Sequence, residues 1–173
     1  MVKWWPQHLK SQRIYDLGCR DGAMTWCMSQ VADHVWCWDI GSHSELSIDA
    51  LNQPNIQWIR PHHLPAVDTV YLGNVLAGTA LIQDPTVWLT NIVTWIDAPI
   101  WIFREVLHGW EGAKPNTLAF GEAWPEQYRK HGWHESERVI QECTALELLE
   151  KREVQLKDNL GDTDQRFFLC KKL

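Results

Sequence analysis

Two glycines and two aspartates near the N-terminus have the types and spacing of a ligand-binding turn. Gly18 and Gly22 lie four residues apart, directly after a short apolar run that ends at Leu17. Glycines there let the backbone approach a ligand closely, and the helix predicted after them directs N–H groups toward it. The Asp16 carboxylate, near the end of the run, favours a ligand with a positive group over a pyrophosphate. Asp39 ends the next apolar run, and its carboxylate can accept hydrogen bonds from both hydroxyls of a ribose.

Side chains that can accept a proton follow a later apolar run. Glu105 and His108 come directly after Ile100–Phe103, and His131 lies in the segment beyond them. Loops at the carboxyl edge of a parallel sheet commonly build the substrate site, and a Glu or His there can take a proton from a substrate. We therefore predict that the substrate is bound and activated in this part of the chain.

The order of apolar patterns predicts the elements that position these residues. Strand-like apolar runs recur five times, each followed by a turn or a helical pattern, and two longer runs end the chain. Helical patterns follow the glycine turn and the pair Asp84-Pro85, which has the form of a helix N-cap. We predict a doubly wound α/β fold with a mostly parallel seven-stranded sheet, helices on both faces and a C-terminal antiparallel hairpin. A single domain is expected to span residues 1–173.

The C-terminal part of the chain is predicted as a helix followed by the hairpin. Ser136 is the expected N-cap of a helix that ends near Cys143. One long strand is expected after it, because four apolar residues share one parity: Leu146, Leu148, Val154 and Leu156. A turn near residue 160 then leads into the last strand.

Composition bounds the classes of protein to which the chain can belong. Its 173 residues, 45% apolar and 22% charged, are ordinary for one globular domain. It has neither a stretch of about 18 apolar residues nor a signal-peptide pattern, so we expect no membrane span and a cytoplasmic location. The five cysteines form no C-x-x-C pair, and neither His62-His63 nor His131-x-x-His134 has a third ligand at suitable spacing. Reduced thiols and no metal site are therefore expected.

The stretch from Asp16 to Gly22, D-L-G-C-R-D-G, resembles the signature D-L-G-x-G-x-G of class I S-adenosylmethionine-dependent methyltransferases. Asp39 matches the family's ribose-binding acid, and residues 68–76 match its pattern around the end of the fourth strand. Two positions depart from the family. Arg20 replaces the middle glycine, and the loop after the third strand lacks the acid that binds adenine, so that Arg60 or His62 takes its place.

The resemblance implies S-adenosylmethionine as cofactor and methyl transfer as activity. It implies that the cofactor contacts the following residues: Asp16, Gly18, Cys19, Arg20, Gly22, Asp39, Ile40, His62, Gly73 and Asn74. The candidate catalytic residues are His108, Glu105 and His131. A proton acceptor is needed if the methyl acceptor is a hydroxyl or an ammonium, whereas a neutral amine or a thiolate needs positioning alone.

Three functions remain open at this point. The first is an enzyme that methylates a small molecule or a protein side chain, which the net charge of -6 favours. The second is a non-catalytic binding or interaction protein with the methyltransferase fold, which Arg20 and the loop without an acid favour. The third is an RNA-modifying methyltransferase with a local basic patch, for which the available charges are few and separated in sequence: Arg129, Lys130, Lys171 and Lys172.

The partners expected from these alternatives follow from charge and motif. An acidic chain does not favour binding to nucleic acid, and no segment favours a membrane. A nicotinamide dehydrogenase is the least favoured alternative, because the G-x-G-x-x-G spacing is absent. We expect a small-molecule substrate, and the oligomeric state stays open.

Overall fold

The computed structural model describes residues 9–10, 12–40, 46, 48–80, 83–106, 133–158 and 161–173. Its strands are β1 (Arg13–Leu17), β2 (His34–Trp38), β3 (Ile56–Trp58), β4 (Thr69–Gly73), β5 (Ile100–Val106), β6 (Leu146–Asp158) and β7 (Gly161–Lys172). The described helices are α1 (Ala23–Ser29), α2 (Ile48–Leu51), α3 (Val75–Thr79), α4 (Pro85–Trp95) and α5 (Trp133–Glu142), and a 3-10 helix spans Pro61–His63. None of these helices is long and apolar enough to cross a membrane.

The strands form one seven-stranded sheet in the order β3-β2-β1-β4-β5-β7-β6. β1 pairs in parallel with β2 and with β4, β2 pairs in parallel with β3, and β6 pairs with β7 in antiparallel fashion. The chain therefore moves outward from β1 to one edge and restarts at β4 toward the other. In doubly wound sheets a ligand binds outside the carboxyl ends of the strands at this reversal point. The predicted fold class is confirmed.

The residues divide into two compact units. The first consists of Met1–Gly73 with Ile96–Ile102, and the second of Asn74–Trp95 with Phe103–Leu173. In the first unit β1 is buried along almost its whole length, whereas burial alternates along β2 and is only partial in β3. A central parallel strand is covered on both faces, so its apolar run is continuous, and burial falls toward the edge.

The second unit contains the predicted cap of α4. Asp84 Oδ1 accepts hydrogen bonds from the backbone N–H groups of Thr86 at 2.8 Å and Val87 at 3.1 Å. This is the N-cap geometry expected from the pair Asp84-Pro85, with proline in the first turn, where its missing N–H costs nothing.

Helix α5 begins earlier than the sequence predicts. Ser136 is not its N-cap but lies three residues after Trp133, the first residue of the helix, and its side chain is completely buried. The next residue, Glu137, binds the hairpin through Lys151 at 2.6 Å and Arg166 at 3.5 Å. These ion pairs join α5 to β6 and β7 at the residue next to the buried Ser136.

The C-terminal hairpin is confirmed, with one irregularity in β6. Between Leu148 and Glu150 the pairing with β7 shifts by one residue, so Leu149 is the extra residue of a β-bulge. Leu149 is half exposed. A bulge shifts the alternation of faces by one, so the shared parity from which the strand was predicted does not carry through it.

Candidate functional site

The backbone of the glycine turn adopts the left-handed conformation that glycine favours. Gly18 has φ 86° and Gly22 has φ 77°. A Cβ atom on Gly22 would lie 2.8 Å from Leu46 Cδ2 and 3.0 Å from Ala50 Cβ. Both the backbone conformation and the packing beside α2 therefore disfavour a larger residue at Gly22. The turn predicted from the glycine spacing thus has the close-packed form expected of it.

Arg20 lies between the two glycines and also has a left-handed backbone conformation. Its φ is 50°, and its side chain is exposed. A residue with a Cβ atom in this conformation costs about 1–2 kcal/mol relative to a right-handed one. The conformation is held by the Arg20 N–H, which donates to Asp39 Oδ2 at 2.9 Å. The structure therefore brings Asp39 to the turn.

Two backbone hydrogen bonds also join the turn to the end of β2. The N–H groups of Gly18 and Cys19 both donate to the Trp38 carbonyl oxygen, at 2.8 and 3.2 Å. Trp38 is the last residue of β2 and directly precedes Asp39, which is partly buried. Three successive N–H groups of the turn thus bind the last residue of β2 and the aspartate after it, so the position of the Asp39 carboxylate relative to the turn is well defined.

Asp16 is buried at the end of β1 rather than exposed. It retains 1% of its accessible surface, and its Oδ2 accepts a hydrogen bond from the Thr25 hydroxyl at 2.6 Å. Thr25 is fully buried on α1, so this contact joins the strand before the turn to the helix after it. Thr25 was not predicted as a site residue, although a hydroxyl in the first turn of the helix after an acid-bearing strand was a signal for it.

Cys19 contributes its backbone to the turn, whereas its thiol belongs to the core. The side chain is buried with Cys37 and Leu46. A hydrogen bond with Cys37, with burial adding to it, raises the pKa of the Cys19 thiol well above its ordinary range. The thiol is therefore neutral and unsuited to act as a nucleophile. All five cysteines are free, and four of them are buried.

Two further predicted cofactor residues of the first unit are exposed. Ile40, directly after Asp39, retains 80% of its accessible surface. His62 lies in the 3-10 helix after β3, and its ring centroid is 4.1 Å from that of His63. Across the described part of the chain, no group of three His, Cys, Asp or Glu side chains is placed to hold a metal ion.

Gly73 and Asn74 are the predicted cofactor residues at the end of β4. Gly73 is the last residue of the strand. Asn74 has φ 57°, and its N–H donates to the Arg104 carbonyl oxygen at 2.8 Å. Its side-chain Oδ1 is buried without a hydrogen-bond partner. An amide oxygen left in this state can still accept a hydrogen bond from a ligand.

Glu105 lies inside β5, because the strand extends to Val106 instead of ending at Phe103 as predicted. Its side chain retains 3% of its accessible surface. Burial raises its pKa to about 8, and the Ser136 hydroxyl and the charge of Arg104 act in the opposite direction. Glu105 Oε1 and Ser136 Oγ are both buried without a hydrogen-bond partner of good geometry.

The ionisation state of Glu105 limits its chemistry. With a pKa of about 8 the carboxyl group is mostly protonated at neutral pH, so it can donate a hydrogen bond but is poorly suited to take a proton. Its use as a proton acceptor requires ionisation at about pH 8. The other two candidate catalytic residues, His108 and His131, lie outside the described residues and remain predictions.

Comparison with known proteins identifies the fold. No family model and no curated protein matches the sequence. A methyltransferase from Methanosarcina mazei is 13% identical with a TM-score of 0.67, and the match covers 100% of this chain and 98% of that one. Magnesium protoporphyrin IX methyltransferase from Synechocystis PCC 6803, with bound S-adenosylmethionine, is 15% identical with a TM-score of 0.59, over 96% of this chain and 73% of that one. The chain has the class I methyltransferase fold.

A third similar structure carries a different specificity on this fold. The N-methyltransferase NodS from Bradyrhizobium japonicum WM9, in complex with S-adenosylhomocysteine, is 15% identical with a TM-score of 0.57, over 96% of this chain and 83% of that one. The class I fold thus carries proteins named for different acceptors. The fold does not identify the acceptor of this chain, which must be argued from the site.

Proposed function

We propose that the chain binds S-adenosylmethionine at the glycine turn and at Asp39, and transfers its methyl group to an acceptor. The observation that supports this most is the attachment of the turn to Asp39 through the Arg20 N–H at 2.9 Å. This arrangement lies at the carboxyl ends of β1 and β2, beside the reversal of strand order. A nucleoside is bound at this place in doubly wound folds.

The residues around the turn fit the parts of this cofactor. The Asp39 carboxylate can accept from the ribose hydroxyls while it also accepts from Arg20, because a carboxylate has several acceptor positions. The exposed Ile40 offers an apolar surface, and the exposed His62 a flat polar one, to the adenine. We further propose that the cofactor contacts the backbone of the turn and residues near its methionine end. The residues assigned to these contacts are Asp16, Gly18, Cys19, Gly22, Gly73 and Asn74.

When bound, the cofactor supplies a methyl group made reactive by a positively charged sulfur. The chain's own residues hold an acceptor in line with that group and exclude water, which can supply much of the rate enhancement. Glu105 is a hydrogen-bond donor at neutral pH and a base only near its pKa of about 8. His108 or His131 takes the proton of a hydroxyl or ammonium acceptor, and neither is needed for a neutral amine or a thiolate.

We propose that the methyl acceptor is a small molecule, with a protein side chain as the alternative. The net charge of -6 supports this over RNA. We also propose that residues 1–173 act as one methyltransferase-like domain, and that the free, mostly buried thiols suit a cytoplasmic setting.

A non-catalytic role is the second candidate function. Two features support it: Arg20 has a strained backbone where the related signature has glycine, and burial raises the pKa of Glu105 to about 8, which makes it a poor base at pH 7. A protein of this kind would bind the cofactor and transfer no methyl group to any acceptor. An acceptor screen with the methyl-labelled cofactor separates the two functions.

The proposal is tested by replacing Asp39 with alanine and with asparagine. We expect Asp39→Ala to weaken binding of S-adenosylmethionine by about 1–3 kcal/mol, or roughly 5–150-fold in Kd, through loss of charge-assisted hydrogen bonds. Asp39→Asn keeps an oxygen for the Arg20 N–H and should show how much of the loss is due to charge. Calorimetric titration measures both values.

Asp33→Ala is the matched control for these variants. Asp33 is an exposed aspartate just before the amino end of β2, whereas Asp39 follows its carboxyl end. Its replacement should leave the Kd unchanged. Binding to Asp39→Ala that is as tight as to the parent protein would show that the ribose is not held at Asp39.

A further inference from the structure

Arg20 combines a strained backbone with a long charged side chain at the proposed cofactor site. Its left-handed φ of 50° is one that glycine would adopt without strain. Non-glycine residues with a strained backbone of this kind cluster at active sites and ligand-binding sites. The side chain is exposed, and the backbone is held by the hydrogen bond to Asp39. The question is which group of a ligand a guanidinium at this point would bind.

The charges around the turn answer this question. Arg20 is the one Lys or Arg between residues 14 and 40, whereas Asp16, Asp21 and Asp39 are all acidic. S-adenosylmethionine carries a positive sulfonium, a positive ammonium and one negative carboxylate. A guanidinium would repel the sulfonium and the ammonium, because all three groups are positively charged. The carboxylate is the one negatively charged group of the cofactor, and it can accept two parallel hydrogen bonds from a guanidinium.

Arg20 also lies at a suitable point along the ligand. Its N–H is 2.9 Å from the carboxylate of Asp39, to which the proposed function assigns the ribose. The methionine part of the cofactor is attached directly to that ribose. From this starting point the long Arg20 side chain can extend along the methionine part while its backbone stays attached to Asp39.

We infer that the Arg20 guanidinium binds the α-carboxylate of the cofactor's methionine part and makes the site selective for ligands that carry it. This inference rests on the proposed function. It gives Arg20 a role that a glycine at the same position could not fill, and it accounts for a backbone conformation that an arginine adopts only at a cost.

The test compares S-adenosylmethionine with decarboxylated S-adenosylmethionine in the parent protein, in Arg20→Asn and in Arg20→Lys. Asparagine tolerates the left-handed conformation and carries no charge, whereas lysine keeps the charge. Calorimetry gives a Kd for each pair. We expect the ratio of the two Kd values to fall about tenfold from the parent protein to Arg20→Asn, and less in Arg20→Lys, because the charge-assisted pair is lost only in the former.

Lys10→Ala is the control for a general effect of charge. Lys10 is exposed and precedes the amino end of β1, whereas the turn follows its carboxyl end. The control should keep the Kd ratio of the parent protein. Thermal melting of each variant shows whether it is folded.

Two results would overturn the inference. If Arg20→Asn weakens both ligands by the same factor, or if Lys10→Ala changes the ratio as much as Arg20→Asn does, Arg20 does not bind the carboxylate. If the parent protein binds neither ligand, the proposed function fails as well, so the two failures can be told apart.

Discussion

Replacing Glu105 with glutamine should make the protein more stable, by an amount that grows with pH. In the unfolded chain this carboxyl group ionises near its ordinary pKa of 4.5, whereas burial raises its pKa in the folded chain to about 8. As the pH rises between these values, the unfolded state loses a proton that the folded state retains. The stability of the parent protein therefore falls over this range, and the loss is complete above pH 8.

The size of the effect follows from the two pKa values. Each tenfold difference in ionisation constant corresponds to about 1.4 kcal/mol, so the rise from 4.5 to about 8 corresponds to a loss of about 5 kcal/mol. Glutamine has nearly the same shape and no charge. We expect Glu105→Gln to match the parent protein at pH 4.5 and to exceed its free energy of unfolding by several kcal/mol at pH 8.

Urea unfolding of both proteins between pH 4.5 and pH 8 measures this difference. Glu147→Gln gives the background for the same substitution on an exposed side chain of β6. If the difference in free energy of unfolding between Glu105→Gln and the parent protein stays constant with pH, the reasoning is refuted. Lower stability of Glu105→Gln at pH 8 would show that glutamine cannot replace the carboxyl group beside Ser136.

Three further substitutions test the turn, each by urea unfolding. Gly22→Ala should destabilise the protein by about 2 kcal/mol, because it adds backbone strain and a close contact with Leu46. A change in the free energy of unfolding under about 0.5 kcal/mol, the size of a neutral surface substitution, would contradict the packing described. Arg20→Gly should stabilise it by up to about 1 kcal/mol, because the left-handed strain is removed; a clear loss of stability would show that the arginine side chain supports the fold. Thr25→Val should cost about 1–3 kcal/mol by leaving the buried Asp16 carboxylate without its hydroxyl partner, and an unchanged midpoint would mean that this hydrogen bond contributes nothing.

The topology and the turn could be predicted from sequence because each rests on a local pattern with a physical cause. The apolar run of β1 and the glycine spacing after it are read directly from the residue types. The contact between Arg20 and Asp39 then follows from topology, because parallel neighbours such as β1 and β2 end at the same edge of the sheet. The strand order therefore places Asp39 near the glycine turn, although the two are far apart in sequence.

The environment of Glu105 could not be predicted in this way. A charged residue after an apolar run normally marks the end of a buried strand, because burying an ionised carboxylate is costly. Here β5 continues through Glu105 to Val106, and burial raises the pKa of the carboxyl group to about 8, which favours its uncharged form. Ser136 was misread for a related reason: serine favours helix N-caps, and nothing local shows that a buried partner faces it. The bulge at Leu149 depends on pairing with β7 and has no local sign either.

The central claim is that the glycine turn and Asp39 form a binding site for S-adenosylmethionine. Calorimetric titration of the parent protein with S-adenosylhomocysteine, repeated with S-adenosylmethionine, tests it most directly. The account predicts saturable binding of each ligand at one site per chain with micromolar Kd, the range of about -8 kcal/mol. An absence of saturable heat for both ligands, at protein concentrations well above that Kd, would contradict it and leave a methyltransferase fold that serves another purpose.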